Sequence, residues 1–247
     1  MLQKIFKYLR FRQYVYWNIY DCLSDAKEEF KIHEYYVDDN QNQKDFQEYK
    51  RKKDLYFKVR ESFIPIFISS LSLDEIKILD IGGGYNPVYD YVKDSTNQKI
   101  NVTVLEKKTV VNTIYQLISE KINLNYIDDL NKKNLSNFDI IYFGSSFQYF
   151  LDNDTIITEI SNLNAPYIII TDSCFLEKRK SFITLQVNTY PLIVPQRLNN
   201  IDEIINKFKM YDYNLIYKSK RKSGKHNLLL KGEYFTRDLI FKKSIVL

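Results

Sequence analysis

The chain of 247 residues carries a net charge of +5, with 45% hydrophobic residues, 27% charged residues and only two cysteines. This composition excludes wholesale disorder, a disulfide framework and a cysteine-ligated zinc site, and it fits one α/β domain with additional elements. The two cysteines lie far apart in the sequence, so we expect a protein of the reducing cytoplasm. No apolar run approaches the roughly 18 residues that span a bilayer. The mild positive charge fits an anionic substrate or a membrane surface, or serves only to keep the protein in solution.

Basic and aromatic residues alternate through residues 1–37. Helical spacing predicts one or two helices there, carried by Ile5, Leu9, Arg12 and Tyr16. We expect an accessory helix that packs its aromatic face on the core, or else a lid over the site or a helix in weak contact with the inner membrane surface. His33 is either a structural histidine or a catalytic base, the latter if this segment covers the active site.

A second helical pattern follows the polar stretch at 38–54 and ends near Leu71. Its apolar residues are Phe46, Tyr49, Leu55, Val59, Phe63, Ile66 and Phe67. Pro65 lies within this pattern and either kinks the helix or starts a new turn. We therefore predict an N-terminal helical cap over residues 1–72, followed by a larger domain over residues 73–247.

Residues 77–87 begin as a short apolar run, typical of a strand buried on both faces, and continue into three consecutive glycines. Glycine permits positive φ and lets a ligand approach the backbone closely. A dinucleotide fingerprint needs a further glycine where the chain has Pro87, and no Gly-Lys-Ser/Thr triplet of a P-loop follows. The remaining pattern resembles the acid-x-Gly-x-Gly motif of class I S-adenosylmethionine-dependent methyltransferases, which implies cofactor binding by Asp80, Gly82, Gly83 and Gly84. An ordinary glycine-rich strand-to-helix turn is the alternative.

Two further acidic strand ends follow the glycines. Residues 101–106 read as the second strand and end in Glu106, near the spacing at which a carboxylate binds ribose hydroxyls. An exposed glutamate at a strand end is the alternative. A helix is predicted over 110–121, and a short strand at 125–127 precedes Asp128 and Asp129. The resemblance implies that the first of these aspartates, or else the second, accepts a hydrogen bond from the adenine amino group, while a capped turn is the competing interpretation.

Residues 138–144 predict a fourth strand, which breaks at a glycine into small polar residues and an aromatic pair. In the resembled family this exit loop lies between methyl donor and acceptor. We therefore expect Ser145 and Ser146 to bind the cofactor, Gln148 to bind the acceptor and Tyr149 to take part in catalysis beside it. Alternatively, one of the serines caps the helix that follows.

A fifth strand is predicted over 165–173, with Asp172 at its carboxyl end as a candidate general base or as the anchor of a backbone turn. The order of four segments narrows the resemblance to a bacterial methyltransferase family encoded among surface-polysaccharide (capsule or O-antigen) biosynthesis genes: 145–150, 169–172, 182–187 and 190–191. That resemblance covers roughly residues 77–247 and implies acceptor binding by Gln186 and Tyr190. The chain departs from the family pattern after strand five, where Asp-Arg-Thr is replaced by Asp-Ser-Cys.

The remaining chain predicts an amphipathic helix at 201–208 and two final strands at 213–217 and 237–241. The segment 218–225 between these strands carries five cations. It is either a solvated loop tip or a clamp for a phosphate of an activated sugar, with Lys222 as the candidate ligand. Nucleic acid is not expected as a partner, because no recognition motif accompanies this one basic loop.

Taken together, the resemblance implies a Rossmann-like α/β fold: a seven-stranded methyltransferase sheet with helices on both faces and an N-terminal helical cap. The expected function is methyl transfer from S-adenosylmethionine to an oxygen of a sugar or phosphate-type group on a polysaccharide precursor, leaving S-adenosylhomocysteine. No metal is expected, because the acids are scattered and only two histidines exist. The rivals are a dehydrogenase, a methyltransferase for RNA, protein or another small molecule, and a non-catalytic cofactor-binding subunit.

Overall fold

The computed structural model describes residues 15–29, 59–117, 123–130, 137–187, 193–219 and 234–244. The strands in these residues are β1 Val15–Tyr20, β2 Glu75–Ile81, β3 Lys99–Leu105, β4 Leu124–Ile127, β5 Ile140–Gly144, β6 Tyr167–Leu176, β7 Phe182–Val187, β8 Ile193–Asn200, β9 Tyr213–Lys218 and β10 Tyr234–Lys243. The helices are α1 Leu23–Glu29, α2 Val59–Ser69, α3 Tyr89–Val92, α4 Lys108–Leu117, α5 Asn153–Asn162 and α6 Ile201–Lys209, with a 3₁₀ turn at Phe147–Tyr149.

The centre of the molecule is a parallel sheet of five strands in the order β4-β3-β2-β5-β6. Its strands are continuous apolar runs, such as residues 140–143, because both faces are covered. β10 pairs antiparallel with β6, and β9 pairs antiparallel with β10. The chain runs outward in one direction from β2 to β4 and in the other from β5, so the strand order reverses between β2 and β5. In open α/β sheets ligands bind at the carboxyl ends of the strands at such a reversal.

Helices cover both faces of this sheet, as predicted. One core cluster joins the face of Ile141, Phe143 and Ile168 to buried residues of α5 and α6. The other joins the face of Ile140 and Tyr142 to buried residues of α2, α3 and α4. Successive residues of a strand therefore pack into opposite helical layers, because their side chains point to opposite faces of the sheet.

Three more strands extend the sheet, so the predicted strand number of seven is wrong: the described residues form a ten-stranded sheet. The last residues of β6, Phe175 and Leu176, pair in parallel with the end of β8. β8 pairs antiparallel with β7, and β7 pairs antiparallel with β1. We call β1, β7 and β8 the antiparallel lobe. Because β6 belongs to both parts, the lobe is a continuation of the central sheet.

The N-terminal prediction is also corrected. Val15–Tyr20 is a strand paired with β7, although Tyr16 had been placed on a helix by the spacing of four residues. β-branched and aromatic residues favour a strand when a partner strand is at hand, and this tertiary pairing outweighs a weak helical period. α2 contains Pro65 and lies within the predicted helical pattern. The rest of the predicted cap lies outside the described residues, and the division at residue 72 stays a prediction.

Smaller differences concern the element boundaries. The helix after the glycines is short and spans only Tyr89–Val92. β6 continues three residues beyond the predicted end at 173, because β10 on one side and β8 on the other pair with the extension. In the described ranges, no helix is long and apolar enough to cross a membrane.

Candidate active site

The acidic and small polar residues singled out in the sequence gather at the carboxyl ends of the parallel strands. β2 leads into the glycines, β3 ends beside Glu106, β4 precedes Asp128, and β5 precedes Ser145. Parallel pairing brings these ends to one edge of the sheet, on both sides of the strand-order reversal. The structure therefore brings these residues together at one edge of the sheet.

The first position of the loop needs a glycine for two reasons, its positive φ and the close approach of a neighbouring side chain. Gly82 has φ 73°, and its N–H donates to the carbonyl of Leu105 at 2.9 Å. A Cβ at this position would lie 2.7 Å from the Cβ of Ser146, which is closer than two carbon atoms can approach. The loop after β2 and the loop after β5 are thus in contact here, and the contact needs a glycine.

Asp80 holds the loop from beneath. Its side chain is 1% exposed, and Oδ2 accepts the N–H of Val88 at 2.7 Å, at the start of the short helix that follows. A Cβ on Gly83 would lie 2.5 Å from the same carboxylate oxygen. The carboxylate therefore fixes the path of the backbone from strand to helix, and the acid and the second glycine of the motif are needed together.

Glu106 closes the loop from the side of β3. Its Oε1 accepts the N–H of Gly84 at 3.1 Å, and its Oε2 accepts the N–H of Lys107 at 2.9 Å. Burial raises the pKa of this carboxyl, and the two backbone hydrogen bonds oppose the rise only in part. Each carboxylate oxygen can accept two hydrogen bonds, so each retains capacity for one hydroxyl donor. The alternative of an exposed glutamate is excluded by this burial.

The last glycine leaves room for a ligand. Gly84 has φ 55°, and the nearest atom to a Cβ built on it is Glu106 Oε1, 3.8 Å away. Its carbonyl accepts the hydroxyl of Tyr126 at 3.4 Å, and the carbonyl of that tyrosine accepts the hydroxyl of Tyr115 at 2.8 Å. Neither tyrosine was identified as a site residue from the sequence, because an aromatic residue on a strand or helix is ordinarily part of the hydrophobic core.

The two aspartates after β4 differ in exposure. Asp128 is half-buried, whereas Asp129 is exposed. The carbonyl of Ile127, the residue before them, accepts the N–H of Glu106 at 2.9 Å, so β4 ends directly beside this half-buried glutamate. This placement favours Asp128 of the pair, as the sequence analysis did, while the contact with adenine stays a prediction.

The two serines after β5 hold the loop rather than cap a helix. Ser146 Oγ donates a short hydrogen bond to the carbonyl of Ile81, and no side-chain cap bond is made to the 3₁₀ turn. Ser145 adopts φ 60°, and its N–H donates to the carbonyl of Thr171 at 2.9 Å. The next helix, α5, is capped by Asp152 instead. The capping alternative is therefore wrong for both serines.

Asp172 occupies a β-bulge in β6. It has φ 51°, and the pairing with β10 shifts register at this point, so that two residues of β6 oppose one of β10. Its N–H donates to Oδ1 of Asp238 at 3.0 Å, while its own Oδ2 accepts the hydroxyl of Ser145 at 2.9 Å. Oδ2 of Asp238 in turn accepts the hydroxyl of Ser219 at 2.8 Å.

This chain of hydrogen bonds joins β9, β10, β6 and the loop after β5. The arrangement is compatible with both interpretations of Asp172 from the sequence. The residue anchors a backbone turn, and its half-buried carboxylate stands at the strand end, where a general base is expected. Asp238, which is 3% exposed, was missed in the sequence. Its hydrogen-bond partner, Asp172, lies 66 residues earlier in the chain, and no local sequence pattern predicts that contact.

The predicted acceptor residues meet at the junction with the antiparallel lobe. Gln148 is buried, and its Nε2 donates to the carbonyl of Ser145 at 2.8 Å. The hydroxyl of Tyr149 donates to Oε1 of Gln186 on β7 at 3.3 Å, and the same oxygen accepts Nε2 of Gln196 on β8 in a very short contact. The fold thus brings three predicted residues together with one that the sequence analysis did not name.

Three predicted site residues lie outside the described residues: His33, Tyr190 and Lys222. The basic aromatic segment before residue 15 and most of the basic loop 218–225 lie outside them as well. Within the described ranges, no three His, Cys, Asp or Glu side chains gather as a metal site requires. The roles of these residues, and the expected absence of a metal, stay predictions.

Comparison with known proteins supports the fold. No model of a known protein family matches the chain, and no curated protein matches it in sequence. Its structure is similar to that of an S-adenosylmethionine-dependent methyltransferase from Methanosarcina mazei, with a TM-score of 0.53 and 13% identity over 72% of this chain and 97% of that one. It is also similar to magnesium protoporphyrin IX methyltransferase from Synechocystis, solved with bound S-adenosylhomocysteine, with a TM-score of 0.55 and 12% identity over 84% and 98%.

A third similar structure is human N-acetylserotonin methyltransferase in complex with S-adenosylmethionine, with a TM-score of 0.56 and 14% identity over 88% of this chain and 62% of that one. At these identities the similarity establishes a Rossmann-like α/β methyltransferase fold.

Proposed function

We propose that this protein is an S-adenosylmethionine-dependent methyltransferase. The observation that carries the proposal is the half-buried Glu106, whose carboxylate accepts the N–H of Gly84 at the strand-order reversal of a methyltransferase fold. A half-buried carboxylate with remaining acceptor capacity beside an open glycine is suited to the two hydroxyls of a ribose. Two of the similar structures contain S-adenosylhomocysteine or S-adenosylmethionine, which agrees with this assignment.

The residues present fit this cofactor. Gly84 leaves open space where a side chain would stand, Glu106 offers acceptor oxygens to ribose hydroxyls, and Asp128 offers a half-buried acceptor to the adenine amino group. Dinucleotide cofactors also have ribose hydroxyls, but their fingerprint needs a glycine where Pro87 is buried. S-adenosylmethionine supplies a methyl group on a positively charged sulfur, which is electrophilic without further activation.

The protein's part in the reaction is chiefly to position the acceptor. In-line transfer forms a bond between an acceptor oxygen and the methyl carbon, breaks the bond between that carbon and sulfur, and leaves the electron pair on sulfur. A hydroxyl acceptor also loses its proton. Asp172 is the described residue that we assign as proton acceptor, because its carboxylate lies half-buried at the end of β6. Its hydrogen bond from Ser145 fixes the carboxylate for this role.

For the acceptor we infer a sugar hydroxyl, or a carboxylate or phosphate-type oxygen, on a cytoplasmic polysaccharide precursor. The support is the resemblance of the segments 145–150, 169–172 and 182–187 to the surface-polysaccharide family, together with the net charge of +5. The contact between Tyr149 and Gln186 brings two of these segments to one place. Tyr190 and Lys222 are assigned to the same acceptor by this resemblance and by the charge of the basic loop.

Calorimetric titration with S-adenosylhomocysteine tests the proposal, with NADH and NADPH titrated in parallel. Micromolar binding of the first ligand alone, about −8 kcal/mol, is expected. Transfer of a tritiated methyl group to a fraction of bacterial nucleotide sugars then tests turnover. Binding of NADH in place of S-adenosylhomocysteine, or no binding of any of the three, contradicts the assignment.

A further inference from the structure

The inner face of the antiparallel lobe carries three buried polar side chains among apolar ones such as Phe182 and Leu198. Thr184 of β7 pairs with Gln196 of β8, and Gln186 pairs two residues further along, so the three side chains stand on one face. Their exposed fractions are 0%, 1% and 4%, respectively. Burying three polar side chains on one face is costly unless each finds hydrogen-bond partners, so such a face calls for an explanation in terms of binding.

This face is tied to the loop after β5. The hydroxyl of Tyr149 in the 3₁₀ turn reaches Gln186 Oε1, which also accepts Nε2 of Gln196. The preceding residue of the turn, Gln148, folds back and donates to the carbonyl of Ser145, which is hydrogen-bonded through its hydroxyl to Asp172. The polar face is thus connected, through the turn, to the strand end that carries the proposed proton acceptor.

Two buried carbonyl oxygens at this junction accept no hydrogen bond from any residue that the structure describes: Gln148 Oε1 and Gln196 Oε1. The two side chains are 6% and 1% exposed. Reversing the amide of Gln148 would set its oxygen against the carbonyl of Ser145, and reversing Gln196 alone would set two amide oxygens against each other. In the amide orientations that the structure shows, both oxygens are thus acceptors without a donor among the described residues.

We propose that Gln148 Oε1 and Gln196 Oε1 accept hydrogen bonds from hydroxyl groups of the methyl acceptor, and that these two glutamines determine specificity for a polyhydroxylated substrate. The donor is a neutral hydroxyl, because the surrounding side chains of Tyr149, Thr184 and Gln186 carry no charge. A site built to receive hydroxyls rejects an analogue that lacks them, because its own polar atoms are then left unpaired. This inference rests on the proposed function and extends it to a residue, Gln196, that the sequence analysis did not name.

The test uses the full chain saturated with S-adenosylhomocysteine and measures binding of UDP-glucose, UDP-galactose and dTDP-glucose, with UDP and dTDP as sugar-free controls. Wild-type protein is compared with Gln148→Met and Gln196→Met, which keep the length of the side chain and remove the amide. The matched control is Gln98→Met, because Gln98 Nε2 also donates to backbone carbonyls but does so at the end of α2. Thermal unfolding of each variant confirms that it is folded.

At least one nucleotide sugar is expected to bind more tightly than its sugar-free nucleotide. Each of the two substitutions near the site is expected to weaken that binding about tenfold, as for loss of one hydrogen bond. Affinity for S-adenosylhomocysteine and for the free nucleotide should change less than twofold, and Gln98→Met should resemble wild type. Equal binding of sugar and sugar-free nucleotides, or unchanged sugar affinity in both variants, overturns this inference. If the wild-type protein does not bind S-adenosylhomocysteine, that result would instead overturn the proposed function.

Discussion

Replacing Glu106 by glutamine tests the cofactor assignment at its strongest point. Each carboxylate oxygen of Glu106 accepts one backbone N–H and has capacity for one more donor. An amide keeps only one acceptor oxygen, so one ribose hydroxyl loses its charged partner. A hydrogen bond to a charged group contributes about 1.5–3 kcal/mol. We therefore expect the dissociation constant for S-adenosylhomocysteine to rise roughly 10- to 150-fold.

The matched control is Glu75→Gln, at the opposite end of β2. Glu75 is also a hydrogen-bonded glutamate, bonded to Asn101 and paired with Lys99 at 3.0 Å, but it is exposed. Calorimetry at pH 7.5 should show wild-type affinity for this variant. A change of less than twofold for Glu106→Gln would refute the assignment of Glu106 to the ribose.

The pH dependence gives a second, independent result from the same variant. Burial raises the pKa of Glu106 in the free protein, whereas hydroxyl donors stabilise its ionised form and lower the pKa in the complex. Binding is therefore at full strength above the free-protein pKa and weakens as the pH falls through it toward the pKa of the complex. Glu106→Gln should lack this loss. The ligand's own groups titrate with both proteins, so the difference between the two curves isolates Glu106.

Substitutions at four further positions test the surrounding structure. Gly82→Ala should lower the free energy of unfolding in urea by about 1–3 kcal/mol, because the alanine is strained at positive φ and its Cβ clashes with Ser146. Gly84→Ala should lower the free energy of unfolding by a smaller amount, because Gly84 has positive φ but no close contact. Asp172→Asn keeps an acceptor oxygen but cannot take a proton, so methyl transfer should slow by about 100-fold at unchanged cofactor affinity; undiminished turnover would remove Asp172 from catalysis. Asp238→Ala should cost about 1–3 kcal/mol of stability by leaving buried donors unpaired, and Asp238→Asn should cost clearly less; equal losses would contradict the hydrogen-bonding role.

The cofactor side of the site could be predicted from the sequence because its information is local. The acid, the glycines and Pro87 are neighbours in the chain, and Glu106 follows at the length of one helix and one strand. Parallel pairing then fixes their meeting at one edge of the sheet without further knowledge of the fold. The same reasoning placed Asp128 before Asp129 because the first lies directly at the strand end, and the structure shows Asp128 half-buried and Asp129 exposed.

The acceptor side could be predicted only in part, because it depends on contacts between distant segments. Asp238 meets Asp172 through the register of β10 on β6, and Gln196 meets Gln186 through the pairing of β7 with β8. Such registers are set by the packing of whole strands, which no short pattern contains. Val15–Tyr20 was misread for a related reason, since its partner β7 lies more than 160 residues later in the sequence.

β6 pairs both with the central sheet and with the antiparallel lobe, and this has a consequence for how such a protein can change its substrate. Among the residues that the structure describes, the strand pairing between the antiparallel lobe and the central sheet consists of two residue pairs, those of Phe175 and Leu176 with the end of β8. The strand ends that hold the glycines and Glu106 make no pairing with it. The lobe can therefore be exchanged as a module: transplanting β7 and β8 from another protein of this architecture should give a chimaera with new acceptor preference and the same cofactor affinity.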